Sequence, residues 1–234
     1  MGAITARSDT RQRASGGLLA VPIVAIVIMC VAALLCVTYV LRPRPDFAPV
    51  AIDAPPLPII VAGTLFRVPP RAIRVAMQRR PGTQERLDLA FFWPALTPAA
   101  EPSKEDLAAA AGRIFLTVEP EEGGLTPVQR LKTIYPRYAA PATSSGPDGL
   151  TVLAFLDETP YQGEDLLFDQ SAPERFMVRC TRDKGLAPGS CLYERSMGNA
   201  SITLRFPRTL IAEWRAFLTG SDRLLAQLQG TGGS

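Results

Sequence analysis

Two cysteines in the C-terminal half have the spacing of a structural disulfide. Cys180 ends the strand-like run Phe-Met-Val-Arg-Cys, and Cys191 begins a second such run, Cys-Leu-Tyr-Glu-Arg. The residues between them include Gly185, Pro188 and Gly189, which favour a turn. In the chain-entropy model, a bond that closes about a dozen residues contributes roughly 3 kcal/mol. We therefore predict a Cys180–Cys191 disulfide and an oxidising compartment. The alternative is two free thiols in a cytoplasmic domain.

Catalytic and metal-binding patterns are missing from the sequence. The 234 residues include no histidine, which excludes Ser-His-Asp and Cys-His catalytic arrangements and histidine metal sites within this chain. The 22 acidic residues could provide a carboxylate pair for glycosidic hydrolysis, but no spacing singles out a pair. The acidic run from residue 157 to 169 lacks the spacing of a calcium-binding loop. We predict no catalytic residue, no cofactor and no metal, and a non-enzymatic role is favoured.

A group of arginines between residues 67 and 86 could contact an acidic surface. Local positive charge suits anionic lipid headgroups or an acidic protein, and the alternative is a solvated polar face. The indole of Trp214, on a C-terminal helix, could lie in a partner's groove, with packing on the chain's own sheet as the alternative. The net charge of +3 is too small to indicate nucleic acid as a partner. The predicted partner or lipid contacts are Arg67, Arg71, Arg74, Arg79, Arg80 and Trp214.

One apolar stretch determines where these residues would lie. Residues 18–41 contain no charged side chain. At ~1.5 Å per residue they make a helix of roughly 36 Å, enough to cross a hydrocarbon core of about 30 Å. The stretch is too long for a signal-peptide core, and it ends in Tyr39-Val40-Leu41 where a cleavage site needs small residues. We predict a single transmembrane helix that contacts the lipid bilayer. A removable signal peptide and a lipoprotein acylated at Cys36 are the alternatives.

The flanking charges predict the orientation of this helix. Arg7, Arg11 and Arg13 precede it, while Arg42 and Arg44 follow it, so the positive charge favours the N-terminal side by a small margin. This places a disordered tail, residues 1–17, in the cytoplasm. The protein is then expected in the inner (plasma) membrane, with its C-terminal domain periplasmic or extracellular.

The rest of the chain predicts one α+β domain. Prolines make residues 42–58 a stalk, residues 59–229 form the extracytoplasmic domain, and residues 230–234 are a flexible end. Period-two alternation predicts strands at 86–93 and 201–206, and the last strand is joined to its predecessor by a Gly198-Asn199 turn. Short helices are expected at 71–80, 101–113 and from Thr126-Pro127. An acidic turn follows residue 156.

The C-terminal segment completes the predicted fold. From Arg208, leucines, Phe217 and Trp214 recur at helical spacing, with an interruption expected near Gly220. This amphipathic helix is expected to pack on a mainly antiparallel sheet, with the helices gathered on one face.

These features predict a function by binding. A tethered domain without reaction machinery indicates an accessory or scaffold protein of an envelope assembly, with a protein partner in the membrane or envelope. One alternative is a small-ligand or glycan-binding module, which would need a concave pocket with convergent polar groups. The other is a histidine-free hydrolase that uses carboxylates or a Ser-Lys pair.

The membrane anchor can be tested by cell fractionation. We expect the full-length chain to sediment with membranes, to resist a high-salt wash and to be released by detergent, because residues 18–41 leave lipid only when their apolar surface stays covered. Immunoblotting of the fractions measures this distribution. The mature chain in the soluble extract would contradict the anchor.

Overall fold

The computed structural model describes residues 16–41, 50–99, 112–183, 185 and 189–230, with the side chains of the first range described for residues 22–40. The chain divides into two units, residues 1–47 and residues 48–234. The predicted tail at 1–17, the helix at 101–113 and the flexible C-terminal end lie wholly or mostly outside the described residues.

The first unit contains one long helix, α1 (Gly16–Leu41), with Pro22 near its start. The described side chains of this helix are all exposed. Within the described part of the chain, α1 is the one helix long and apolar enough to cross a membrane. Its composition explains its continuity, since apolar side chains cover every face of the helix.

The second unit is an α+β fold built on antiparallel strands, as predicted. Its helices are α2 (Pro127–Thr133) and α3 (Trp214–Leu228). Its strands are β1 (Leu57–Val61), β2 (Thr64–Val68), β3 (Gly82–Thr83), β4 (Leu87–Phe92), β5 (Thr97–Pro98), β6 (Arg113–Pro120), β7 (Ser144–Ser145), β8 (Thr151–Ala154), β9 (Glu164–Phe168), β10 (Met177–Thr181), β11 (Ser190–Met197) and β12 (Ala200–Pro207).

Two sheets are formed by these strands. The larger has nine strands in the order β5-β4-β6-β12-β11-β10-β9-β8-β7, and all of its neighbours pair antiparallel. The smaller has the order β2-β1-β3, and β1 pairs parallel with β3. The predicted turn between β11 and β12 is confirmed, because Met197 pairs with Ala200 and Gly198 adopts a φ of +60°. The strand β1 begins inside the segment interpreted as the stalk.

The inner face of the large sheet forms the main core beneath α3. Alternate residues of β4, β6 and β12 point inward and are almost fully buried, as period-two alternation requires. The ring of Phe217 lies 4.0 Å from that of Phe206, and Trp214 stacks on Phe176 at 4.7 Å. Each large apolar side chain buried in this way stabilises the fold by about 1.5–3 kcal/mol. The predicted packing of the C-terminal helix on the sheet is confirmed.

Gly220 does not interrupt α3, so that expectation was wrong. The helix runs through it without a break. A Cβ at this position would lie 2.9 Å from the ring of Trp93. Close packing against the indole therefore explains the glycine. The segment Arg208–Glu213, where the helix was expected to begin, is a separate 3-10 helix.

Two other expectations also need correction. Residues 71–80 form two 3-10 turns, Pro70–Ala72 and Ala76–Gln78, because Ile73 between them is extended and bridges to Leu89 of β4. The acidic segment after residue 156 contains strand β9, which pairs with β8 and β10. Asp165 lies inside this strand, where Arg182 and Arg208 bind its carboxylate at 2.8 Å and 2.6 Å.

The outer face of the large sheet is covered unevenly. The helix α2 begins with the predicted capping box of Thr126 and Gln129, and its residues pack on a second apolar cluster. This cluster includes Tyr135, Leu166 and Met177, so α2 covers the side of the sheet around β8, β9 and β10. The outer-face residues of β6 and β12 are instead polar, aromatic or basic, and most are half-buried: Arg113, Phe115, Thr117, Glu119, Ser201, Thr203 and Arg205.

The predicted disulfide is confirmed. Cys180 of β10 and Cys191 of β11 are directly opposite each other, with Cα atoms 4.0 Å apart and sulfur atoms bonded. Both residues are fully buried on the inner face. The bond therefore links two neighbouring strands of the core sheet.

Removal of this disulfide should destabilise the fold. We expect Cys180→Ala with Cys191→Ala to lower the free energy of unfolding by roughly 3 kcal/mol, because the unfolded chain regains the freedom of the closed loop. Urea titration of the detergent-solubilised chain, followed by tryptophan fluorescence, measures the change. The control is Cys30→Ala with Cys36→Ala, which removes the two free thiols of α1. An equal loss in both double variants would contradict the assignment.

Candidate functional site

The predicted contact arginines are separated by the fold. Arg74 lines a pocket of about 400 Å³ on the outer sheet face, and the other four predicted arginines do not line it. The side chain of Arg67 lies near Gly230, after α3. Arg79 donates from Nε to the carbonyl of Ile73 at 3.2 Å. The basic segment is therefore a folded loop in which one of the five predicted side chains reaches this surface.

Trp214 lies inside the fold. It is 4 % exposed, stacks on Phe176, and donates from Nε1 to the carbonyl oxygen of Asp148 at 3.2 Å. The indole thus packs α3 against the sheet and fastens a neighbouring loop. Its burial against Phe176 agrees with the alternative of packing on the chain's own sheet.

The pocket on the outer face combines guanidinium groups, hydroxyls and one aromatic ring, and we call it the cationic face. Strand register explains how it forms, because Thr117 of β6 lies opposite both Asp88 of β4 and Thr203 of β12. Its lining residues are Arg74, Arg86, Asp88, Phe115, Thr117, Glu119, Thr203 and Arg205.

A hydrogen-bond network around Asp88 attaches the basic loop to the cationic face. Arg86 binds both carboxylate oxygens of Asp88, at 2.8 Å and 2.9 Å. The side chain of Gln78 donates to the same carboxylate at 3.0 Å and accepts from the Asp88 backbone amide at 2.9 Å. Thr117 Oγ1 donates at 3.1 Å. Arg86 also pairs with Glu119, so its charge is neutralised within the fold.

The environment of Asp88 favours its charged form. Burial alone would raise the pKa of this carboxyl, but the hydrogen bonds from Arg86, Gln78 and Thr117 outweigh it, so the pKa lies below its ordinary value. The hydrogen bond with Asp88 likewise raises the pKa of the Arg86 guanidinium. The pair is therefore a structural contact that stays ionised at neutral pH.

Arg74 and Arg205 differ from Arg86 because no carboxylate among the described residues pairs with them. The Arg74 guanidinium lies over the ring of Phe115, with Cζ 4.4 Å from the ring centroid. Arg205 is the cross-strand neighbour of the same phenylalanine. Both arginines are exposed, and neither forms an ion pair with any residue that the structure describes. The cationic face thus presents two available guanidiniums beside a half-buried aromatic ring.

A second concavity, the α2–α3 groove, has a volume of about 530 Å³. This volume is in the range of small-molecule pockets. Among its charged side chains, Arg195 binds Asp222, and Glu194 binds Arg130, which is outside the lining. The groove is lined by Thr126, Pro127, Val128, Pro173, Glu174, Arg175, Met177, Tyr193, Glu194, Arg195, Ser196, Leu218 and Asp222.

The described residues include no group of three or more cysteine and acidic side chains that could hold a metal ion. The expected lack of metal, cofactor and catalytic residues remains a prediction. Arg86 ends the basic segment predicted from the sequence, whereas Asp88, Phe115, Thr203 and Arg205 were not predicted as site residues. Alternation did indicate that Thr203 and Arg205 share the wet face of β12, but the strand order that brings Phe115 beside them was not predictable.

The Asp88 network leads to a prediction about stability and pH. We expect Asp88→Asn to lower the free energy of unfolding by about 2 kcal/mol at pH 7, because charged hydrogen bonds to a buried carboxylate are lost. Since the folded-state pKa lies below the ordinary value of 3.8, the wild-type advantage is full above pH of about 5 and shrinks as the pH falls through the folded-state pKa.

Urea titrations at several pH values measure this difference. The control is Glu85→Gln, which neutralises an exposed acidic residue near the same loop. A difference between wild type and Asp88→Asn that grows as the pH falls would contradict the assignment.

Comparisons with known proteins identify a fold similarity but no family. No family model matches the chain, and neither does any curated protein. The structure of an immunity protein of the Stenotrophomonas maltophilia type IV secretion system is similar with a TM-score of 0.53 and 13 % identity, over 74 % of this chain and 93 % of that chain. The iron-regulated outer membrane lipoprotein FrpD of Neisseria meningitidis aligns with a TM-score of 0.37 and 10 % identity, over 70 % of this chain and 83 % of that chain. The first similarity shows a shared fold.

Proposed function

We propose that this chain is a membrane-anchored accessory protein of a cell envelope and that its folded unit binds another protein through the cationic face. The observation that supports this most directly is the uneven cover of the large sheet. The helix α2 covers the outer side around β8 to β10, while the side at β6 and β12 keeps Phe115 half-buried. Beside this ring lie the guanidiniums of Arg74 and Arg205, which form no ion pair with any residue that the structure describes. Aromatic and arginine side chains are enriched at protein interfaces.

Two features support the envelope location. The helix α1 has the length and composition of a membrane anchor, and the preceding arginines favour a cytoplasmic N-terminus. The buried Cys180–Cys191 disulfide suits a domain that folds in an oxidising compartment, such as the periplasm or the cell exterior. Together they favour a folded unit on the extracytoplasmic side.

The fold comparison supports an accessory role. A secretion-system immunity protein shares this fold over nearly its whole length. Because the sequence identity is low, the similarity in fold does not identify the partner. It fits a binding protein of an envelope assembly better than an enzyme of metabolism.

Site-specific crosslinking tests this function in living cells. A photoreactive benzoylphenylalanine is placed at position 117 or 203, on the cationic face, and at position 132 or 223 as controls on exposed parts of α2 and α3. We expect the same crosslinked protein from positions 117 and 203, at several times the yield from the controls, because the partner covers the outer face. Mass spectrometry identifies it, and the purified partner must bind the purified full-length chain in detergent.

The controls decide how the crosslinks are interpreted. Equal yields at all four positions would indicate non-specific capture and contradict the proposal. A lack of crosslinks at every position, in cells that express the chain at its natural level, would also contradict it.

A small-ligand-binding function is the second candidate, and the α2–α3 groove favours it. The groove has suitable volume and combines apolar side chains such as Met177 and Leu218 with charged ones. Native mass spectrometry of the detergent-purified chain tests this candidate. A retained small molecule that is lost on Ser196→Trp, which fills the groove from an exposed position, together with no crosslinks at position 203, would replace protein binding by ligand binding.

A further inference from the structure

We propose that the partner contacts the cationic face through an acidic segment, which places carboxylates against Arg74 and Arg205. This inference rests on the proposed protein-binding function and specifies the chemistry of the partner. The charges of the face favour it. Three guanidiniums and two carboxylates line the pocket, and both carboxylates are bound by Arg86. The remaining positive charge is therefore located on Arg74 and Arg205.

An internal contact of the cationic face shows how its side chains bind a carboxylate. Arg86 holds Asp88 through two hydrogen bonds, with Thr117 as a third donor. A guanidinium binds a carboxylate best in this two-bond arrangement. Arg205 and Thr203 lie on the same outer side of β12, where Thr203 is opposite Thr117. An incoming carboxylate would meet the same two donor types, a guanidinium and a threonine hydroxyl.

The aromatic ring of Phe115 also supports a binding site on the cationic face, because it orients Arg74. The stack on this ring holds the Arg74 guanidinium above β6. A guanidinium held in place loses less conformational freedom on binding than a freely moving side chain does. The stacked arginine is therefore partly preorganised for an anionic group.

A protein segment fits these observations better than a lipid surface. Anionic membranes attract clusters of four to eight basic side chains. The other four predicted arginines do not line this pocket, so the basic segment does not act as one patch at the cationic face. Two available guanidiniums in a recess of about 400 Å³ suit carboxylate side chains that project from a chain.

The α2–α3 groove offers a useful contrast. Three carboxylates and two guanidiniums line it, and one of these guanidiniums, that of Arg195, already binds Asp222. An acidic segment would meet a surplus of negative charge there, whereas Arg74 and Arg205 bind no carboxylate within the described residues. Charge complementarity therefore favours the cationic face over the groove as the binding site for an acidic segment.

Peptide binding to the full-length chain in detergent tests the inference. The probe is a fluorescein-labelled peptide of eight glutamates, and anisotropy measures its dissociation constant at low and moderate salt. We expect Arg74→Glu with Arg205→Glu to weaken binding about tenfold, which corresponds to about 1.4 kcal/mol, and wild-type affinity to fall as salt rises. The matched control is Lys132→Glu with Arg223→Glu, which changes net charge equally at exposed positions away from the face.

Folding and lipid binding are separated by further variants. Arg74→Lys with Arg205→Lys should keep most of the affinity, and near-native circular dichroism of all variants shows that the fold is intact. Equal weakening in the test and control variants would overturn the inference. So would binding to phosphatidylglycerol nanodiscs that depends on Arg74 and Arg205 while the glutamate peptide fails to bind.

The crosslinking experiment separates the acidic-segment inference from the proposed protein-binding function on which it rests. If the partner crosslinks at position 203 equally well in Arg74→Glu with Arg205→Glu, protein binding stands and the acidic segment is wrong. If the wild-type chain yields no crosslinked partner, the proposed function itself is wrong.

Discussion

The burial of one sheet face beneath α3 is the constraint on which the rest of the folded unit depends. In β4, β6 and β12 every second residue must be apolar to fill the core, as the fully buried Leu89, Leu116 and Leu204 do. The residues between them are then directed to the outer face by geometry alone. The packing of the core therefore decides which residues of these strands form the cationic face. A shift of the strand register by one residue would move these side chains to the inner face.

Two different kinds of interaction stabilise the two parts of the outer sheet face. Around β8 to β10, apolar side chains from α2 and the following segment pack on the sheet and exclude water. At β4 and β6, the carboxylate of Asp88 instead holds a polar loop through charged hydrogen bonds. A buried carboxylate is stable only when its partners satisfy it, and Asp88 has Arg86, Gln78 and Thr117. This network positions Arg74 over Phe115 and leaves its charge available to a partner.

The contrast between paired and unpaired arginines guides the functional proposal. Arg86 on the cationic face and Arg195 in the α2–α3 groove bind internal carboxylates, and such arginines contribute to the architecture. Arg74 and Arg205 bind none within the described residues, and both are neighbours of the Phe115 ring. Their position beside an aromatic ring is typical of a recognition surface.

The sequence by itself determined the local features of this protein, because they depend on neighbours along the chain. The uncharged stretch specified α1, alternation specified β4 and β12, the Thr126-Pro127 pair specified the start of α2, and the flanking strands indicated the Cys180–Cys191 bond. Tertiary structure decided the rest. Gly220 could be recognised as a packing residue only once Trp93 lay against it, and Asp165 could lie in a strand only because Arg182 and Arg208 neutralise it. The cationic face unites β4, β6 and β12, which are distant in sequence, so its assembly depended on a strand order that local patterns do not encode.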